Sequence, residues 1–325
     1  MRNFVCAALF ALVTFAACSP PNVSQSDPNA ACADYAYARC THLATDCSPA
    51  YMLYRYGSDD PVSLCRTLIT QSCINNLTGP GAGGTPSGIE ACAQVIPTKW
   101  SCSDFVELLN PPPECAQPVG SLPSGAACAT DGECQTRFCA VPLGNACGTC
   151  QQAPQPGSSC AGIGTCGNES GMTCESGTCV PFVEQGSACG GGQGECDPGA
   201  GLACVAGTCQ PAVTTANAAC ASTPGCALVD GLVCNTELKT CQQAQFAGAG
   251  QPCGTVGYAS IFCAGVATCL GASGNTPGTC AALSPPGGPC DLSAGPDCLS
   301  PTRCIVTSDG GTSGTCQFLD GSSCH

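Results

Sequence analysis

Charged side chains are scarce in this chain of 325 residues: 9% in all, eight Lys and Arg against 22 Asp and Glu, for a net charge of −14. So few cations cannot neutralise a run of phosphates, and nucleic acid is excluded as a partner. Aromatic residues are only 5%, and Trp occurs once, at Trp100. Too few large side chains are present for a conventional core along the whole length, so cross-links must replace much of the burial. Histidine is nearly missing. His42 and His325 each stand alone, and no zinc site of mixed Cys and His is expected from them. The single C-x2-C, "CGTC" at Cys147 and Cys150, lacks the second pair of a zinc ribbon and the βαβ context of a thioredoxin-like motif. "GAGGTPSG" (81–88) is Gly-rich but has no following Lys, so it reads as a loop. "GECDPGAG" and "TSDGGTSG" lack the alternating acids of a calcium loop. No Ser–His–Asp or paired-carboxylate constellation can be drawn, and the strand–helix alternation of an α/β barrel is absent. A non-enzymatic protein with no metal and no cofactor is expected.

Cysteine, glycine and proline are abundant instead: 36 Cys, 42 Gly and 27 Pro. Cysteine at this density marks a disulfide scaffold, which a reducing cytosol would leave unpaired. The chain is therefore expected to be exported. Residues 1–17, "MRNFVCAALFALVTFAA", have one early Arg and an apolar stretch too short for an ordinary membrane span, and read as a signal peptide. Phe15-Ala16-Ala17-Cys18 resembles a bacterial lipobox, which implies that Cys18 is acylated and becomes the mature N-terminus. Ser19 after it matches the pattern for transfer to an outer membrane, and residues 18–29 form a polar tether. Ordinary cleavage near Ala17, giving a soluble extracellular protein, is the alternative.

Residues 30–118 hold five of the six tyrosines, Trp100 and eight cysteines. Asp27-Pro28, Asp60-Pro61 and Thr85-Pro86 each pair a side-chain acceptor with Pro, the signature of a helix start. Behind them Cys32, Ala36, Cys40 and Leu43, then Cys65, Leu68, Ile69 and Cys73, then Ile89, Cys92 and Ile96 keep helical spacing. Ser101 and Asp104 suggest a capping box for a further helix through Leu109, stopped by Pro111-Pro112-Pro113. A helical domain stapled by disulfides along its apolar seams is expected. Tyr35, Tyr51, Tyr54 and Tyr56 could form a ligand platform, but packing is the preferred reading.

From about residue 120 the chain changes to units of 29–37 residues, opening at Cys160, Cys189, Cys220, Cys253 and Cys290 behind phrases such as "GSSC" and "GSAC". The Gly in "CESGTC" and "CVAGTC" suits a tight hairpin that needs positive φ. Each unit reads as two short strands held by two disulfides. Four cysteines allow three pairings. The expected one joins first to third and second to fourth, so that both cysteines beside the turn are bonded back to the preceding loop. This gives Cys160–Cys174 with Cys166–Cys179, Cys189–Cys204 with Cys196–Cys209, and Cys220–Cys234 with Cys226–Cys241. From 120 on only six aromatics occur, so each unit is expected to stand on its own cross-links without stacking on a neighbour. Residues 128–179 contain nine cysteines, and Cys324, in the truncated phrase "GSSCH", is a further odd one. In a flexible array of this length the two spare cysteines are expected to stay apart, free or bonded to another molecule.

The spacing C-x5-C-x4-C-x7-C-x2-C at Cys128, Cys134, Cys139, Cys147 and Cys150, with "CATDGEC" and "FC", resembles the N-terminal cysteine-rich domain of the dickkopf proteins. The whole arrangement is similar to the cysteine-rich lipoproteins of myxobacteria. The residues divide the chain into a helical cysteine domain at 30–118, a dickkopf-like module at 120–182 and hairpin repeats at 183–325, and the lipobox-like segment leads to the expectation of a lipid anchor at the outer membrane or cell surface. The fold class expected is small and disulfide-rich, a stapled helical domain followed by an array of short β-hairpin modules. The function expected is that of a non-enzymatic surface lipoprotein, structural or binding a protein or glycan. A thiol–disulfide redox protein using Cys147 and Cys150 is the alternative from another class.

Overall fold

A computed structural model describes residues 27–324 apart from 103–110, 168–170, 191–192, 198–200, 221–224, 228–229, 236, 257–258, 275 and 308–309. The segment 1–17 expected to be a signal peptide, Cys18, most of the expected tether and His325 lie outside the described residues. So does all but the first two residues of the helix expected from Ser101 to Leu109.

Four helices form the head: α1 Pro28–Asp46, α2 Pro49–Tyr56, α3 Pro61–Thr78 and α4 Pro86–Lys99. Each starts on proline, whose missing N–H costs nothing in a first turn. Each is capped by the residue before: Asp27 accepts from the Asn29 amide at 3.1 Å, Ser48 from Tyr51 at 3.1 Å, Asp60 from Ser63 at 3.1 Å and Thr85 from Gly88 at 3.2 Å. Three of these starts are legible in the sequence. The fourth, Ser48-Pro49, carries the same signal on a helix of one short stretch, and it turns out to matter most for the site. Helices α1 and α3 are stapled by Cys32–Cys73 and Cys40–Cys65, and the head is closed by Cys47–Cys102 and Cys92–Cys115. Between the staples lie Leu43, Met52, Tyr56, Leu68, Ile96 and Trp100, all buried.

Beyond the head every unit repeats one hairpin. Its third and fourth cysteines are direct cross-strand partners: Cys139 with Cys150, Cys174 with Cys179, Cys204 with Cys209, Cys234 with Cys241, Cys269 with Cys280, Cys304 with Cys316. None is bonded to the cysteine it faces. The turns between them use positive φ, as at Ser176 (48°) and Gly177 (82°), the pair of values a primed hairpin turn demands. The phrase before the first cysteine is a third strand-like segment. In each unit its first residue donates its N–H to the carbonyl of the fourth cysteine: Gly125 to Cys150, Gly157 to Cys179, Gly186 to Cys209, Asn217 to Cys241, Gly250 to Cys280, Gly287 to Cys316. That residue has positive φ throughout, and where glycine is replaced it is by Asn217 (64°), among the non-glycine residues that enter this region most readily.

The units are not independent, contrary to the expectation from their lack of apolar faces. The strand leaving one hairpin pairs in parallel with the second cysteine of the next unit: Val183 with Cys196, Ala247 with Cys263, Ser284 with Cys298, and the single bridge Val213 with Cys226. Backbone hydrogen bonds, which need no apolar residues, link neighbours in place of stacking.

Nor do the ends of the array stay apart. Cys324 is bonded to Cys147 across 177 residues. Leu299 and Phe318 pack on the core of the head, and Leu319 packs on the first hairpin cluster. Asn75 donates to the Leu319 carbonyl at 3.3 Å and Arg55 to the Ser300 hydroxyl at 3.3 Å. The Val306 amide donates to the Gly144 carbonyl at 2.8 Å, tying the last unit to the first. Arg303 lies in the same seam, where burial pushes its pKa down and the charge of Asp131 opposes that. Loop-closure entropy counted for a flexible chain overestimates the cost here, because the ladders have already stiffened the array and the head offers it apolar anchors. At the point of closure sits the Glu133 carboxylate, fully buried, accepting from the Ala129 amide at 2.9 Å. A Cβ added at Gly321 would overlap it.

Two outcomes follow from the closure. Alkylation of the denatured, unreduced chain is expected to find no free thiol between Cys32 and Cys324. Limited reduction is expected to open Cys147–Cys324 first, because it is the one bridge with neither cysteine buried. Mass mapping after differential alkylation checks both. Gly321→Ala is expected to lower stability by roughly 1–3 kcal/mol through overpacking, read as a fall in the midpoint of thermal unfolding with all bridges intact.

Candidate functional site

The cysteines expected to pair do so, and their sulfurs also gather. Cys160–Cys174 with Cys166–Cys179, Cys189–Cys204 with Cys196–Cys209, and Cys220–Cys234 with Cys226–Cys241 are the bridges of the three regular units. The stretched units follow the same rule with Cys253–Cys269, Cys263–Cys280, Cys290–Cys304 and Cys298–Cys316. In Cys160, Cys166 and Cys179, as in the matching trio of other units, the sulfur atoms lie within 4.8 Å of one another. All are spent in disulfides, so the clusters offer no thiolate for a metal and serve as the core of each unit. The stretch 120–182 contains two such clusters rather than one, Cys128–Cys139 with Cys134–Cys150 being the first. Cys147 belongs to neither.

The two cysteines of the redox alternative are not paired with each other in this arrangement. Cys147 and Cys150 are bonded to Cys324 and Cys134, not to each other. A C-x2-C motif exchanges electrons by opening and closing one bridge between its own two sulfurs. In this chain the two sulfurs serve two different structural bridges, because Cys150 is the hairpin cysteine of its unit and Cys147 the clasp.

Among the described residues, the concave surfaces include two of more than 400 Å³. The first lies between α1 and α4, a groove of about 620 Å³ with Asp34, Asp46 and Glu90 among its lining residues. His42 is buried in its wall, with Nδ1 3.0 Å from Asp46 Oδ2. At one side Arg66 lies over the Tyr37 ring, 4.4 Å from its centre, and donates to the Thr41 hydroxyl at 3.1 Å. Asp34 and Asp46 are exposed. Such a groove is ordinary solvated surface for an acidic chain and favours cations without specifying one.

The second surface is built where the array returns to the head. Helix α2 ends at Gly57, in left-handed conformation, and the approach of Gly57 to Gly265 is so close that a Cβ on Gly57 would come within 2.8 Å of the Gly265 nitrogen. That contact carries the Cys253–Cys280 unit onto α2. Tyr54 then meets Phe246 and Phe262 with ring centres 6.1 and 6.3 Å away, the latter edge-on at 87°, and the two phenylalanines lie 6.2 Å apart. Offset and edge-on geometry is the favourable one for aromatic pairs, adding about 0.5–1.5 kcal/mol each to simple burial. Tyr54 and Phe262 line a pocket of about 430 Å³, with Thr255, Ser260 and Ser273 supplying hydroxyls and Val266 on its rim. Sequence reasoning placed Tyr54 in packing and could not connect it to Phe246 and Phe262. The available signal was their rarity: two of six aromatics in the whole array, on the adjacent strands Gln245–Ala247 and Ala259–Cys263.

One carboxylate is held in an unusual state. Asp291 accepts from the Ser293 hydroxyl and amide at 2.7 and 2.9 Å, the Ala294 amide at 3.0 Å, and the Thr312 and Ser313 hydroxyls at 2.8 and 2.7 Å. These bonds, led by Ser293, hold its pKa well below the usual carboxylate range. They tie the loop after Cys290 to the hairpin turn of the last unit.

Taken together, the stapled head and crossed-bridge units are those of a stable, extracellular-type binding or structural protein suited to an oxidising environment. Among the described residues no helix is long and apolar enough to cross a membrane. No protein-family model, curated protein or solved structure matches the chain.

Because Asp291 binds its proton less readily folded than unfolded, its contribution is fully present above the ordinary aspartate pKa of about 3.9 and is lost as pH falls below it. Thermal unfolding of the last unit, followed by hydrogen exchange at Ser293 and Thr312, is expected to weaken below about pH 4. Asp291→Asn should abolish that dependence.

Proposed function

We propose that this protein is an exported, lipid-anchored cell-surface protein that binds a protein or glycan and does not transform it. The observation that carries the reading is the closed ring of bridges. Every described cysteine is committed to structure, and the sulfurs nearest to a reactive motif point to separate partners. What the fold presents outward is shaped surface: an acidic groove on the head and an aromatic pocket at the seam. Export is supported by the bridges themselves. The anchor is supported by Ala16-Ala17-Cys18 and the polar tether behind it, and the likeness to dickkopf-type modules and to myxobacterial lipoproteins agrees with a non-catalytic role.

Expression in a Gram-negative host with a radiolabelled fatty acid tests the anchor. The wild-type chain is expected to be labelled and to sediment with the outer membrane, starting at residue 18. Cys18→Ser should abolish labelling and release the protein. A wild-type chain recovered unlabelled and soluble would select the extracellular form without lipid.

A further inference from the structure

The pocket over Tyr54 and Phe262 differs from the rest of this surface in its electrostatics. In a chain carrying a net −14, no charged residue lines it among the described residues. Its walls combine two aromatic rings with the hydroxyls of Thr255, Ser260 and Ser273. Its volume, about 430 Å³, falls in the range of small-ligand sites. We infer that this pocket binds an uncharged saccharide. The inference rests on the binding function proposed above and names its ligand class.

A pyranose ring has an apolar face of C–H groups and a rim of hydroxyls. The face packs on an aromatic side chain with a gain like that of other aromatic contacts. The rim needs short, neutral groups that both donate and accept, which is what serine and threonine supply. An acidic or phosphorylated sugar would enter an acidic protein without meeting a cation in the lining. An acyl chain would leave three hydroxyls buried against hydrocarbon, at a cost of about 1–3 kcal/mol for each left unbonded.

The rim of the pocket carries a second sign of construction. Val266, 42% exposed, has φ 61°, a conformation costly for a β-branched residue. It is held there beside Gly265, which is wedged between Gly57 and Leu283. Tyr54 comes from the head, whereas Phe262, Thr255 and Ser260 come from the Cys253–Cys280 unit. The site therefore exists only when the array has closed on the head.

The test uses the full-length oxidised protein with cellohexaose, maltohexaose and N-acetylated chitohexaose as uncharged probes, and an oligogalacturonate of equal length as the charged one. Saturation-transfer NMR detects contact, and calorimetric titration measures affinity. At least one uncharged hexasaccharide is expected to bind in preference to the galacturonate. Tyr54→Ala is expected to weaken that binding by about tenfold, from loss of the stacking contact. Thr255→Val, which keeps the shape and removes the hydroxyl, should weaken it by about threefold to tenfold. If Tyr54→Ala fails to fold, Thr255→Val and Ser260→Ala carry the decision. Silence from all three uncharged sugars overturns the inference, as does preference for the galacturonate or affinity unchanged in the folded variants. A lysine-rich peptide that binds while the sugars are silent, and is weakened by Asp34→Asn with Glu90→Gln, would overturn the saccharide site and leave the binding function standing. If sugars and peptide are both silent and the protein captures nothing from intact cells, the binding function itself is lost.

Discussion

In each hairpin the third and fourth cysteines face each other across two strands, yet each is bonded to a cysteine in the loop before. This crossed arrangement pins the hairpin from two sides and draws two bridges into one sulfur cluster. It does for each unit what a hydrophobic core does in a larger domain. Bridges closing loops of 11 to 18 residues contribute roughly 2–4 kcal/mol apiece by restricting the unfolded chain. Two of them suffice for a unit whose sulfur cluster is joined by a few small or medium apolar residues such as Leu232 and Val213.

Pinned hairpins could still be beads on a string. The parallel ladders between units prevent that, since the strand leaving one hairpin hydrogen-bonds beside the second cysteine of the next. A stiffened array has few conformations left to lose, so contacts that would be too weak to fold back a flexible chain can direct its return. Tyr54 with Phe246 and Phe262, Gly57 against Gly265, and Leu299 and Phe318 on the head are such contacts. The clasp Cys147–Cys324 then secures a geometry that packing has already chosen. The buried Glu133 carboxylate at that junction, with glycine required at Gly321, shows how closely the chain end is fitted.

The same closure creates the pocket. Its aromatic floor is shared by head and array, so the pocket depends on the architecture, and the lack of charge among its described lining residues sets it apart from the acidic groove on α1 and α4. A chain with so few aromatics uses three of them at one seam. That concentration both holds the ring together and leaves Tyr54 and Phe262 open on one side.

What could be read from the residues alone was local. Acceptor–proline pairs announced the helices because capping depends on two adjacent residues, and Asp27, Asp60 and Thr85 cap as their chemistry requires. The crossed pairing was expected from the turn, whose two flanking cysteines bond back to the preceding loop of the same unit, although four cysteines allow three pairings, and the hairpin turns needed positive φ at the glycine near the last cysteine. Suitability for an oxidising environment followed from cysteine density. The tertiary structure decided the rest: that the array is laddered, that Cys147 meets Cys324, and that Phe246 and Phe262 reach Tyr54 some two hundred residues away in the chain. Spacing carries no information about such partners, because they are selected by the summed twist of units held rigid by backbone hydrogen bonds, which any sequence can make. An odd cysteine count in two places signalled that something remained to be joined. Only the packed chain brought the two within bonding distance.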